Sequence, residues 1–137
     1  MKVTEVVPIL NVSDLRASFA WFEKLGLTRA WDWCPPGATA PTFGGVKGDG
    51  REIQLCENGQ GGRGGEHSMW LAIWVDDVDA LHARCVREGV EVIHPPEDKP
   101  WGVREAHVRH PDGHVFRLSQ ITPHDHDHNG AHRHDDR

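Results

Sequence analysis

Residues 6–27, VVPILNVSDLRASFAWFEKLGL, and residues 69–90, MWLAIWVDDVDALHARCVREGV, follow one plan at an offset of 63 positions, the step from Gly26 to Gly89. Each runs from an apolar strand into an acidic helix start, along a helix that stops at Gly, and into a new apolar strand. Val12-Ser13-Asp14-Leu15 aligns with Val75-Asp76-Asp77-Val78. Only two copies fit into 137 residues, so the repeat is a doubled module and not a solenoid unit. Two such halves are expected to meet face to face, and a cavity between them is the place to look for function.

The flanking residues complete the plan. Residues 3–11 alternate well enough for a first strand. Ser13 or Asp14 caps a helix whose apolar residues Leu15, Phe19, Phe22 and Leu25 recur at helical spacing, and Gly26 stops it. A Trp-rich strand follows at 27–33, and Pro35-Pro36-Gly37 breaks the chain. Strands near 40–46 and 51–57 are joined by the turn cluster Lys47-Gly48-Asp49-Gly50. Residues 58–66, NGQGGRGGE, read as a flexible linker. A strand at 68–75 then leads to a helix capped by Asp76 or Asp77, with Val78, Leu81, Cys85 and Val86 as its apolar face and Gly89 as its end. A short strand at 90–93 is broken by Pro95-Pro96, and 95–102 read as a loop. Strands at 103–109 and 114–120 form a hairpin across Pro111-Asp112-Gly113. The expected layout is α+β: a βαβββ module over 1–57, a linker at 58–67, a second βαβββ module over 68–121, and a disordered tail over 122–137.

Composition narrows the function classes. The net charge of −6 argues against nucleic acid as a partner and weakly favours cationic or neutral small ligands. No signal-peptide pattern and no long apolar run is present, so a soluble, cytoplasmic protein without a membrane partner is expected. Cys34, Cys56 and Cys85 form no CxxC pair and read as reduced thiols. No serine sits in a GxSxG elbow, and the Gly-rich linker lacks the context of a phosphate loop.

Three segments carry a family resemblance: the opening VPILNVSDLRASFAWFEKLGL, the middle WLAIWVDDVDALHARCVREGV, and PWGVREAHVRHPDGHVFRL towards the end. Over about residues 3–120 the chain resembles the vicinal-oxygen-chelate superfamily, which holds glyoxalase I, extradiol dioxygenases, fosfomycin-resistance enzymes and bleomycin-resistance proteins. Pro100-Trp101-Gly102 followed by His110-Pro111-Asp112-Gly113 looks most like the bleomycin-resistance branch, with His110 where a typical member has Asp. The resemblance implies curved mixed sheets and a homodimer, often with swapped halves, whose ligand crevices lie between subunits.

It also implies four metal-ligand positions, which fall here at Val7, Gln54, Trp70 and Arg117. Val has no donor atom, Trp has no available lone pair, and Arg is a permanent cation. A single amide oxygen from Gln54 does not hold a catalytic metal. Neither a metal nor another cofactor is therefore expected, and no catalytic residue is assigned.

Aromatic and polar groups stand in the metal's place. The chain has six Trp and no Tyr. Trp31 and Trp33 share one strand face, as do Trp70 and Trp74, because their separations are even. Rigid aromatic surfaces bind flat ligands at small entropic cost, and each stacked pair adds about 0.5–1.5 kcal/mol beyond burial. The expected ligand-binding residues are Trp31, Trp33, Phe43 and Gln54 in the first half. In the second half they are Trp70, Trp74, Trp101, Gly102, Arg104, His107 and Arg117. The plain alternative is packing for the Trp residues, a salt bridge from Arg117 to Glu52 or Glu105, and solvation for Arg104.

Five of the eleven His lie in the tail PHDHDHNGAHRHDDR, where weak zinc or nickel binding competes with a dispensable role. The other six are dispersed and read as structural, although His107 could line the cleft. The functional expectation is non-catalytic sequestration of a bulky aromatic natural product, a bleomycin-type or enediyne-type antibiotic, conferring resistance by mass action. One alternative is a metal-dependent lyase or dioxygenase with shifted ligands such as Glu57, His67 or His107. The other is a metal-free biosynthetic enzyme or accessory protein acting on a natural-product intermediate.

Overall fold

The computed structural model describes residues 1–122. The expectations for 123–137, including weak metal binding by the His-rich tail, lie outside these residues. The chain divides into two compact units. The first holds Met1–Met69 together with His110–His114, and the second holds Trp70–Arg109 and the chain from Val115 onward.

The first unit runs β1 (Ile9–Val12), α1 (Leu15–Lys24), β2 (Thr28–Trp33), β3 (Phe43–Gly48) and β4 (Arg51–Glu57). The second runs β5 (Trp70–Trp74), α2 (Val78–Arg87), β6 (Glu91–Asp98), β7 (Val103–Arg109) and β8 (Val115–Ile121). Each unit is a βαβββ module with one four-stranded mixed sheet, in the order β1-β4-β3-β2 or β5-β8-β7-β6. In each, the first strand pairs parallel with the last and the remaining pairs are antiparallel.

The helices show why the doubled sequence gives a doubled fold. Asp14 caps α1 by accepting from the Ala17 N–H at 3.0 Å, and Asp77 caps α2 from Ala80 at the same distance. These, not Ser13 and Asp76, are the caps. A second side chain reaches each helix start from its own sheet. Glu57 accepts from the Leu15 N–H at 2.9 Å, and Gln120 accepts from the Val78 N–H at 2.8 Å. Two of the helix-start donors that have no intrahelical partner are thus satisfied in each module. Gly26 and Gly89 follow the helices with φ of 93° and 77°, a region where a Cβ is strained.

Each sheet buries the residues that alternate toward its helix. In the first unit Leu10, Val12, Val46 and Leu55 are buried together with Leu15, Phe19 and Phe22 of the helix. In the second, Ala106, Val108, Phe116 and Leu118 meet Val78 and Cys85. Val86, expected on the apolar face of α2, is 58% exposed. It lies about 100° around the helix from Cys85, outside the stripe that faces the sheet.

Three local expectations are corrected. β1 begins at Ile9 and not at residue 3: Pro8 has no N–H to give a ladder, and only its carbonyl is used, by Gln54 N at 2.9 Å. β6 runs through Pro95-Pro96 to Asp98 instead of stopping at residue 93, so only 99–102 remain as a loop. It is an edge strand, where a missing N–H costs no partner, and its register shifts around the prolines. The linker at 58–66 is not featureless. Asn11 bonds to Gly59 through both its amide groups, and Arg63 donates to Asn11, Asn58 and the Val12 carbonyl. Gly65–His67 form a single 3-10 turn.

The turn His110–His114 is locked into the first unit by two buried imidazoles. The Asp112 N–H donates to His110 Nδ1 at 3.0 Å, so the other ring nitrogen carries the proton and donates to Ser18 Oγ at 2.7 Å. His114 repeats the arrangement. Its Nδ1 accepts from the Met69 N–H at 2.9 Å and its Nε2 donates to the Asn11 carbonyl at 2.7 Å. Both are structural histidines. Trp21 stacks edge-on against His110 at 5.0 Å and is itself buried, which settles its role as packing. Burial, with the adjacent His114 as a smaller contribution, pushes the His110 imidazole down to about 4.

Candidate functional site

In each sheet the face turned away from the helix carries the candidate residues, and strand register arranges them in rungs. In the first unit one rung crosses the sheet as Trp31, Gly45, Gln54 and Ile9. The next is Trp33, Phe43, Cys56 and Asn11. Trp31, Trp33, Phe43 and Gln54, expected together from the sequence, therefore share one face of one sheet.

The geometry of this face turns on a glycine. A Cβ at Gly45 would lie 2.5 Å from the Trp31 indole nitrogen and 2.5 Å from Glu52 Oε2. Gly45 thus leaves the space in which the Trp31 ring lies across the sheet. That ring donates its Nε1–H to Glu52 at 2.6 Å, and Gln54 Nε2 donates to the same carboxylate oxygen at 3.2 Å. Phe43 meets the Trp31 ring edge-on at 5.2 Å. The indole is thereby fixed in plane and direction, while Trp33 remains 52% exposed beside it. Glu52, missed as an anchor in the sequence, is legible only as the even-numbered neighbour of Gln54 on β4.

The second unit has the equivalent rung His94, His107, Arg117 and Ala72, followed by Glu97, Glu105, Ser119 and Trp74. Trp70 stands on the same face, 66% exposed, with the Arg117 guanidinium 5.9 Å from its ring centroid. Glu105 is a buried carboxylate whose two oxygens contact Trp101 Nε1 at 3.4 Å and His107 Nε2 at 3.0 Å. His94 meets the His107 ring edge-on at 5.1 Å. Ser119 is fully buried, and among the described residues its hydroxyl has no hydrogen-bond partner; Arg117 Nε is likewise buried and unpartnered among them.

Two expected residues fall elsewhere. Arg104 points to the helix side of its sheet, where it binds Asp79 on α2 through two nitrogens at 2.9 and 3.0 Å and Asp98 at 3.2 Å. It cannot share a face with His107, because the two are three residues apart on one strand. Gly102 is a turn residue at φ 90° whose carbonyl accepts from Thr122. Arg117 makes neither of the salt bridges weighed for it among the described residues.

The residues at the four implied metal positions do not fit a metal. Val7 precedes β1, Gln54 is bound to Glu52, Trp70 is an exposed indole, and Arg117 brings a positive charge. Of the shifted ligands considered, Glu57 caps α1 and His67 sits in the 3-10 turn, so only His107 lies on a face opposite a helix. Among the described residues no group of three or more His, Cys, Asp or Glu side chains could hold a metal ion. No helix among them is long and apolar enough to cross a membrane.

Comparison with known proteins places this geometry. The family described as the Glyoxalase/Bleomycin resistance protein/Dioxygenase superfamily matches residues 3–118. TioX from Micromonospora sp. ML1 is similar in structure with a TM-score of 0.74 at 22% identity, over 88% of this chain and 100% of that one. A glyoxalase-related enzyme from Clostridium phytofermentans is similar with a TM-score of 0.71 at 22% identity, over 89% and 98%. A bleomycin resistance determinant encoded on the transposon Tn5 gives 0.69 at 20% identity, over 87% and 98%. No curated protein matches the sequence.

Proposed function

The chain belongs to the Glyoxalase/Bleomycin resistance protein/Dioxygenase superfamily, and on that footing we propose that it binds and sequesters a bulky aromatic natural product without transforming it. The same fold serves a glyoxalase-related enzyme and a bleomycin resistance determinant, so the local residues have to decide between chemistry and binding. The observation that carries the reading is the Trp31 indole, laid across Gly45 and fixed by Glu52. A preordered ring on an open sheet face offers stacking area with little ordering cost. Exposed Trp33 and Trp70 extend the aromatic surface on their own sheets. In this reading the ligand is an antibiotic of the bleomycin or enediyne type, held away from its target, and the working form is a homodimer in the cytoplasm.

Titration of the full chain with bleomycin and with an anthraquinone-fused enediyne, followed by Trp fluorescence with chelator present, tests this. Saturable quenching near one ligand per chain, with the ligand recovered unchanged, is expected. Absence of binding to both, or a ligand recovered in altered form, would defeat sequestration.

One observation favours a second reading, metal-free catalysis. With Nε2–H donated to the buried Glu105 carboxylate, His107 keeps a lone pair on Nδ1, the arrangement of an oriented general base. His107→Ala distinguishes the readings: sequestration loses at most a contact, whereas catalysis loses turnover of the bound molecule while binding persists.

A further inference from the structure

We infer that the sheet of the second unit holds an oxyanion subsite at Arg117 and Ser119, so that the bound aromatic presents a carboxylate or phenolate oxygen there. The inference rests on the reading of this face as an aromatic ligand site and specifies the ligand's chemistry.

Two donors carry it. Among the described residues Arg117 Nε and Ser119 Oγ are both buried and without a partner, and they stand two residues apart on the same side of β8. A buried polar group without a partner is costly, and more so if it is charged, so two on one face call for an acceptor. Their neighbours do not supply one. Across the strands Arg117 faces His107 on one side and Ala72 on the other. Ser119 faces Glu105 and Trp74. Glu105 is the acid closest in register, and its oxygens already contact Trp101 and His107. Glu97, opposite Glu105, is ion-paired with Lys99. His94 lies against His107 and adds no acceptor at Arg117.

The direction of the charge matters as much as the vacancies in hydrogen bonding. Arg117 stands where the family resemblance puts a metal ligand, and a guanidinium cannot coordinate a cation. It can bind an anionic oxygen directly, by a charge-assisted hydrogen bond from Nε, with the Ser119 hydroxyl adding a second donor. The Trp70 ring, 5.9 Å from the guanidinium, supplies an apolar wall next to that charge. The subsite therefore reverses the preference suggested by the chain's net charge of −6: locally it selects an acid.

Calorimetric titration of the full chain at fixed ionic strength with anthraquinone-2-carboxylate and the uncharged anthraquinone-2-methanol tests the subsite. The carboxylate is expected to bind about tenfold more tightly, the effect of one charge-assisted hydrogen bond. Arg117→Met should bring that ratio to about one, and Ser119→Ala should reduce it about threefold. A wild-type measurement guards against a misfolded variant: 2-hydroxyanthraquinone, whose phenolate is coloured, should ionise about one pH unit lower when bound, equivalent to the same tenfold preference. Equal binding of the two probes, an unshifted phenol, or a ratio unchanged in a folded Arg117→Met would overturn the subsite while leaving aromatic binding intact. Failure of both probes to bind would overturn the subsite and the binding reading together.

Discussion

The two modules have the same strand order and equivalent caps, yet the central rung of one reads Trp31-Gly45-Gln54-Ile9 and of the other His94-His107-Arg117-Ala72. In the first, Gly45 removes a side chain so that an indole lies across the sheet, and its polar atom is satisfied by Glu52. In the second, imidazoles fill the corresponding places, and the strand next to them carries donors without acceptors. One scaffold thus carries an aromatic anchor whose polar atom is satisfied and, among the described residues, a polar pair whose donors are not. The backbone plan fixes where side chains point, and a few substitutions at matching register set what each face can hold.

The largest expected effect separates the modules by pH. Among the described residues only the first unit, through the His110–His114 turn that packs into it, holds an imidazole at about 4, against about 6.5 in the unfolded chain. Between these values the unfolded state binds the extra proton, so stability rises with pH. The contribution is complete above about pH 6.5 and is lost as pH falls through 4, on the order of 3 kcal/mol in all. Denaturant titrations from pH 7 to 4 should show this loss, and His110→Gln should flatten it. An equally steep loss in the variant would remove the distinction.

Next in size is Gly45→Val. A branched side chain here collides with the Trp31 ring and Glu52, and overpacking of this kind costs about 1–3 kcal/mol. Melting temperature should fall and the emission of Trp31 should change with it. If both stay put, the glycine is not what seats the indole. Glu52→Gln is milder: it keeps the shape and weakens the bond from Trp31, with an expected loss of about 1 kcal/mol and a several-fold weaker grip on aromatic ligand. Smallest is Arg104→Met. Its partners Asp79 and Asp98 are largely exposed, so stability should change by no more than about 1 kcal/mol, and ligand binding should be unaffected. A lost ligand affinity would return Arg104 to the site.

These sites differ in how far the sequence revealed them. The offset from Asp14 to Asp77 and from Gly26 to Gly89 announced the doubled βαβββ plan, because caps and stops are local chemistry. Edge position is not local, which is why Pro95-Pro96 looked like the end of a strand that in fact continues past them. The even spacing of Trp31 and Trp33 matches a shared face, whereas grouping Arg104 with His107 runs against the alternation of a single strand. In the sequence Glu52 reads only as an acid within reach of Arg117, and Ser119 carries no motif. Glu52 gains meaning from the Trp31 ring that reaches it across Gly45, and Ser119 from Glu105 and Trp74 opposite it, and neither relation is local in sequence. His110 and His114 read as structural, but HPDGH by itself does not show that both rings are satisfied at both nitrogens.

The most direct test of aromatic binding on the open faces uses the indoles as separate reporters. The six Trp give six indole N–H signals in a nitrogen–proton correlation spectrum of the full chain. On titration with anthraquinone-2-carboxylate, Trp31 and Trp33 of the first sheet and Trp70 and Trp74 of the second are the signals expected to respond. Saturable shifts are expected among these open-face indoles and none at Trp21, buried against His110. Shifts confined to Trp21, or no shift at any indole, would contradict aromatic binding on these faces.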